Sequence, residues 1–103
     1  MKTALIILLL AAAPGSILAA DAAAGKTVYA SKCQVCHGPD GKGNPAITKA
    51  LNVTLKPLGS PQCQAKSDAE LKKDSTDGVG KMKPVKITDA QASDVVAFLR
   101  TLK

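Results

Sequence analysis

The sequence predicts an all-α domain of three to four short helices. Three observations carry this expectation. Apolar residues recur at helical spacing, no segment reads as a convincing strand, and two Ser/Thr-x-x-Glu/Gln capping boxes stand directly before helical runs.

The first helix is expected over residues 22–32, capped by Asp21, with Gly25, Val28, Tyr29 and Lys32 three and four apart on one side. Gly38-Pro39-Asp40-Gly41-Lys42-Gly43-Asn44-Pro45 is turn chemistry, and loop character continues to Pro61 with room for a short helix over 46–51. Ser67-Asp68-Ala69-Glu70 opens a helix over 68–73 with Leu71 facing inward. A second loop runs through Gly78 and Gly80 to Pro84. Thr88-Asp89-Ala90-Gln91 then opens the last helix, where Ala92, Val95, Val96, Leu99 and Leu102 share one face.

Before this domain, Met1-Lys2-Thr3 leads into an apolar run from Ala4 to Ala13, then Pro14-Gly15-Ser16 and small residues at Ala19 and Ala20. That is the three-part layout of a secretory signal, expected over residues 1–20 with the cut after Ala20, give or take two residues, and a domain over 21–103. The run is well short of the roughly 20 residues that a membrane-crossing helix needs. A secreted, non-spanning protein is therefore expected.

At 103 residues, with 46% apolar and 21% charged side chains, the chain holds one folded domain. Tyr29 and Phe98 are its only aromatics, so a core this small calls for a non-protein staple. The formal charge of +6 is spread along the chain. Without a basic tract or interleaved aromatics, nucleic acid is a poor partner and acidic protein surfaces a better one.

The chemistry begins at Cys33-Gln34-Val35-Cys36-His37. C-x-x-C-H is the spacing of covalent c-type haem attachment: two thiols span the two vinyl groups and the histidine that follows supplies an axial nitrogen. Other readings fit parts of the pattern: a thioredoxin-like pair, a zinc site of Cys33, Cys36, His37 and Cys63, and a plain Cys33–Cys36 disulfide. The first lacks a βαβ setting, and the second crowds adjacent residues onto one ion. His37 is the only histidine, and Met82 the only methionine once Met1 leaves with the signal. A His/Met-ligated iron within one chain has one possible pair, and Met82 stands in a polar, glycine-bearing loop where a mere core filler is out of place. The glycines of residues 38–45 do not form a phosphate cradle, since no strand precedes them and no Lys-Ser/Thr pair follows.

Four features in order, Gly25-Lys26-Thr27-Val28-Tyr29, Cys33 to Gly38, Lys81-Met82-Lys83-Pro84 and Asp94-Val95-Val96-Ala97-Phe98-Leu99, make the chain resemble class I cytochromes c of the small bacterial periplasmic mono-haem type. The resemblance spans essentially all of residues 21–103. It implies helices wrapped around one covalent haem c with iron, and a crossing of the first and last helices that packs Gly25 and Tyr29 against Val95 and Phe98. It also implies a bond from the second ring nitrogen of His37 to a loop carbonyl, for which Pro45 is the candidate and Pro39 the alternative.

These readings give an electron carrier, not an enzyme, because iron held by both His37 and Met82 has no position left for a substrate. The alternatives are a haem-based ligand sensor or peroxidatic protein with an open axial site, and a zinc-stabilised binding module. Lys32, Lys42, Lys49, Lys81, Lys83 and Lys86 flank the motif or the Met82 loop and are expected to steer acidic redox partners such as an oxidase, reductase or dehydrogenase. Cys63 is left over. A buried small apolar residue, an exposed thiol linking a dimer of an otherwise monomeric protein, and a ligand or redox residue all fit it.

Overall fold

The computed structural model describes residues 20–103. The signal sequence expected over residues 1–20 lies outside the described residues but for Ala20. Six α-helices follow in order: α1 (Ala22–Lys32), α2 (Gln34–His37), α3 (Pro45–Leu51), α4 (Pro61–Gln64), α5 (Asp68–Asp77) and α6 (Asp89–Leu99), which tightens into a 3₁₀ turn over Arg100–Leu102. The only β pairing among the described residues is an isolated bridge between Val79 and Met82.

The all-α class is as expected, but three to four helices undercounts the single turns. α2 lies inside the C-x-x-C-H motif, too short to show a period. α4 starts at Pro61, where the sequence shows only the end of a loop. Proline is tolerated in a first helical turn, where its missing N–H has no partner to lose, and the Ser60 hydroxyl accepts the Cys63 N–H at 3.4 Å as the cap. α5 outlasts its expected end by a full turn and stops at Gly78, whose φ is +80°.

The caps read from the sequence are made. Asp21 Oδ1 accepts from the N–H groups of Ala23 at 2.9 Å and Ala24 at 3.2 Å. Ser67 Oγ accepts the Glu70 N–H at 3.1 Å. At α6 the box is reciprocal: Gln91 N–H donates to Thr88 Oγ1 at 3.1 Å, and Thr88 N–H to Gln91 Oε1 at 2.9 Å.

The core sits where α1 crosses α6. Gly25 makes the crossing possible, since a Cβ there would fall 1.8 Å from the Asp94 carbonyl oxygen. One turn on, Tyr29 and Phe98 meet with ring centroids 5.0 Å apart and planes tilted by 53°. Val95 and Leu99 complete this cluster, and Val28, Cys33, Leu58 and Leu102 pack against it. The crossing is the one expected. It sets Cys33, directly after α1, against that core.

Candidate haem site

The C-x-x-C-H segment is fixed by its own backbone. Cys33 ends α1 by donating its N–H to the Tyr29 carbonyl at 2.9 Å, and its carbonyl then accepts the His37 N–H at 3.0 Å, starting the single turn of α2. Gly38, at φ +75°, stops that turn with its N–H on the Gln34 carbonyl at 2.8 Å. The loop then folds back: Gly43 N–H donates to the His37 carbonyl at 2.8 Å and Asn44 N–H to the Cys36 carbonyl at 2.9 Å. The Asn44 side-chain amide donates to the Val35 carbonyl, also at 2.9 Å.

Met82 is positioned by a separate device. Val79 N–H bonds the Met82 carbonyl at 3.0 Å and Met82 N–H the Val79 carbonyl at 2.9 Å, closing a tight turn with Gly80, at φ +56°, as its first central residue. Gly78 lies beneath it, so close that a Cβ would come within 2.5 Å of the Met82 carbonyl oxygen. Val85 N–H ties the outgoing chain to the Ser75 carbonyl at 3.0 Å. Lys81 Nζ reaches over to the Leu51 carbonyl, at 2.9 Å, at the end of α3.

His37 and Met82, 45 positions apart, thereby line the same cavity of about 200 Å³, together with Cys33. Leu55, Leu58, Leu71, Val79, Val95 and Leu99 make its walls chiefly apolar. Burial, and next the neighbouring Cys36, push the Cys33 thiol above the ordinary thiol range. Burial holds the His37 imidazole below its usual value, which favours the neutral form that can bind a metal.

The expected bond between His37 and Pro45 is not formed. His37 Nδ1 is buried without a hydrogen-bond partner, and the Pro45 carbonyl accepts from Thr48 Oγ1 at 3.2 Å instead. The reason is local: Pro45 is the first residue of α3, so its carbonyl points along that helix. None of the three cysteines is paired with another, which sets aside the Cys33–Cys36 disulfide. Among the described residues no three His, Cys, Asp or Glu side chains converge as a metal site, so the four-residue zinc set is not assembled.

Cys63, half-buried on α4, lines the cavity too. So do Lys56, Lys66, Asp74 and Ser75, none of which the sequence reading singled out for this site. No signal in residues 44–64 or 66–75 marks them, because they come together only when α4 and α5 fold over the cavity.

A chiefly apolar cavity lined by a histidine, a methionine and the first of two closely spaced thiols has the donor set that fits an iron porphyrin. The family model for cytochrome c matches residues 22–103. The chain belongs to the cytochrome c family, and its cofactor is covalently bound haem c with iron.

It is similar to cytochrome c-554(547) of Halothiobacillus neapolitanus, 30% identical over 91 residues that cover 82% of this chain and all of the relative. Its fold matches the solved KustC0563 c-type cytochrome with a TM-score of 0.66 at 25% identity, over 77% of this chain and 96% of that one. No helix among the described residues is long and apolar enough to cross a membrane.

Proposed function

We propose that the chain is a periplasmic one-electron carrier whose haem is attached through the Cys33 and Cys36 thiols and ligated axially by His37 and Met82. The observation that carries this reading is the convergence of His37 and Met82 on one apolar cavity beside Cys33. When bound, the haem supplies a ferric/ferrous couple.

The protein's own residues do the rest. The neutral His37 imidazole offers a ring nitrogen, and the Met82 thioether, a weak donor, raises the potential relative to a second histidine. Two side-chain ligands leave no coordination position for oxygen or a substrate, which favours electron transfer over catalysis. Leu55, Leu58, Leu71 and Leu99 keep water from the cavity. The bonds that clamp residues 33–44, and the double-bonded turn at Val79–Met82, hold both ligands in place through a change of oxidation state.

Lys32, Lys42, Lys49, Lys81, Lys83 and Lys86 are all exposed. We assign them the steering of acidic surfaces on redox partners. Lys81 acts from the same turn that presents Met82. Cys63 faces the apolar cavity and serves there as a small apolar residue, consistent with a monomer.

We also assign signal cleavage after Ala20. The Asp21 N–H lies 2.8 Å from Asp94 Oδ1, so this cut would place the new α-ammonium against a carboxylate of α6.

The experiment is acid–acetone extraction of the secreted protein, followed by exposure of its ferrous form to carbon monoxide. Haem that resists extraction and excludes carbon monoxide is the expected result. Rapid carbon monoxide binding would instead indicate an open axial position and a ligand-sensing or peroxidatic protein.

A further inference from the structure

The lining of the cavity is chiefly apolar, and its charged members are Lys56, Lys66 and Asp74. Lys66 Nζ and Asp74 Oδ2 are 2.7 Å apart, with 42% and 27% of their side chains exposed.

The backbone around Lys66 is fixed from behind. Arg100 Nη2 donates to the Lys66 carbonyl at 2.8 Å and to Asp68 Oδ1 at 2.7 Å, while Nη1 donates to the Gln64 carbonyl at 2.9 Å. Gln64 Nε2 then reaches the carbonyls of Leu58 and Leu99, both at 3.0 Å. Residues 64–68 are thus clamped onto α6, and the Lys66 stem rises from an anchored base into the cavity wall. The bond to Asp74 holds the Lys66 ammonium above its ordinary range, so it stays charged.

A haem brings two carboxylates of its own. A carboxylate taken from water into an apolar cavity needs a cation or a free donor. The hydroxyls in the wall are already committed, Tyr29 to the Gly38 carbonyl and Ser75 to the Leu71 carbonyl. The cations that line the cavity are Lys56 and Lys66, and of the two Lys66 has its ammonium held in place, 2.7 Å from Asp74 Oδ2.

We infer that Lys66, braced by Asp74 and by the Arg100 clamp beneath it, receives a haem propionate, with Lys56 serving the more exposed rim. This rests on the reading that the haem occupies the cavity lined by His37 and Met82. Lys66 is a positioning residue: it bridges Asp74 and the propionate, two carboxylates that would otherwise repel each other. It also places a positive charge beside the haem, where it favours the ferrous state.

The test uses the haem-loaded protein and three variants. Lys66→Gln removes the cation, Asp74→Asn removes its brace, and Lys72→Gln removes a lysine paired with Asp89 at 2.7 Å outside the cavity wall. Two quantities are read: the propionate bending mode by resonance Raman, and the ferrous/ferric ratio at a fixed applied potential. In Lys66→Gln the mode should shift and the ratio should fall roughly threefold or more. In Asp74→Asn the ratio should rise, and in Lys72→Gln both readouts should stay put.

An unmoved propionate mode in Lys66→Gln overturns the assignment. Equal effects of Lys66→Gln and Lys72→Gln on the ratio also overturn it, since net charge alone would then be acting. Should Lys66→Gln fail to accumulate, Asp74→Asn carries the test, and an unchanged ratio there is the contrary result. Met82→Ala, run in parallel, separates the two readings. Survival of the ferric methionine-to-iron charge-transfer band in that variant removes the haem from this cavity, whereas loss of the band with an unmoved propionate mode rejects Lys66 alone.

Discussion

The Tyr29 hydroxyl, buried in the crossing of α1 and α6, donates a 2.5 Å hydrogen bond to the carbonyl of Gly38, the residue directly after His37. The core of the fold and the end of the haem motif are joined through that one oxygen. Phenylalanine at this position would keep the ring against Phe98 but leave the Gly38 carbonyl with only the 3.3 Å bond from the Gly41 N–H. Tyr29→Phe should cost about 1 kcal/mol in chemical denaturation of the holoprotein.

The same hydroxyl sets a pH dependence. Burial above all pushes the Tyr29 phenol up to about 12, with the Asp40 carboxylate adding to it. Its folded value lies above its unfolded one near 10, so the contribution is complete below about pH 10 and is lost as the pH rises toward about 12. Stability curves of wild type and Tyr29→Phe should therefore converge across that window. A constant gap between them would show that Tyr29 does not titrate there.

Gly25 is the position where the crossing tolerates least. Gly25→Val must push the Asp94 backbone away from a Cβ that would otherwise lie 1.8 Å from its oxygen. The expected cost is about 3 kcal/mol or more, read as a large fall in melting temperature. An unchanged Tm would mean that α1 and α6 do not approach this closely.

Two glycines near Met82 predict opposite outcomes. In Gly78→Ala the new Cβ meets the Met82 carbonyl and the Pro84 nitrogen at a φ of +80°, so the Met82 segment must move. The ferric methionine-to-iron charge-transfer band should weaken or disappear. Around Gly80 nothing lies within 4 Å, so Gly80→Ala meets only the backbone penalty at φ +56°. It should lower stability by about 1 kcal/mol and leave the band in place.

The lysine assignment predicts a salt response. Electron transfer to an acidic redox protein should slow as ionic strength rises, and Lys81→Gln with Lys83→Gln should flatten that dependence. A rate indifferent to salt would remove these lysines from partner binding.

Much of this was legible in the sequence, for physical reasons that differ by region. Asp21, Ser67 and Thr88 announced helix starts because capping is local chemistry, and the face of α6 was visible because a core helix repeats its apolar side. His37 and Met82 stand out as a candidate pair because each is unique in the domain, and both line the cavity. What escaped depends on tertiary placement. Pro61 reads as the end of a loop because the single turn it opens is too short to show a helical period, and Pro45 could not reveal that Thr48 would take its carbonyl. Lys66 lies in the link between α4 and α5 and Asp74 on α5, and no local pattern shows that their side chains meet in the cavity wall.

The measurement that bears most directly on the account is the ferric optical spectrum of the haem-loaded protein, taken for wild type and for Met82→Ala. A low-spin spectrum with a methionine-to-iron charge-transfer band that vanishes in Met82→Ala is the predicted result. A high-spin wild type, or a band that survives the substitution, would contradict His37 and Met82 as the axial pair.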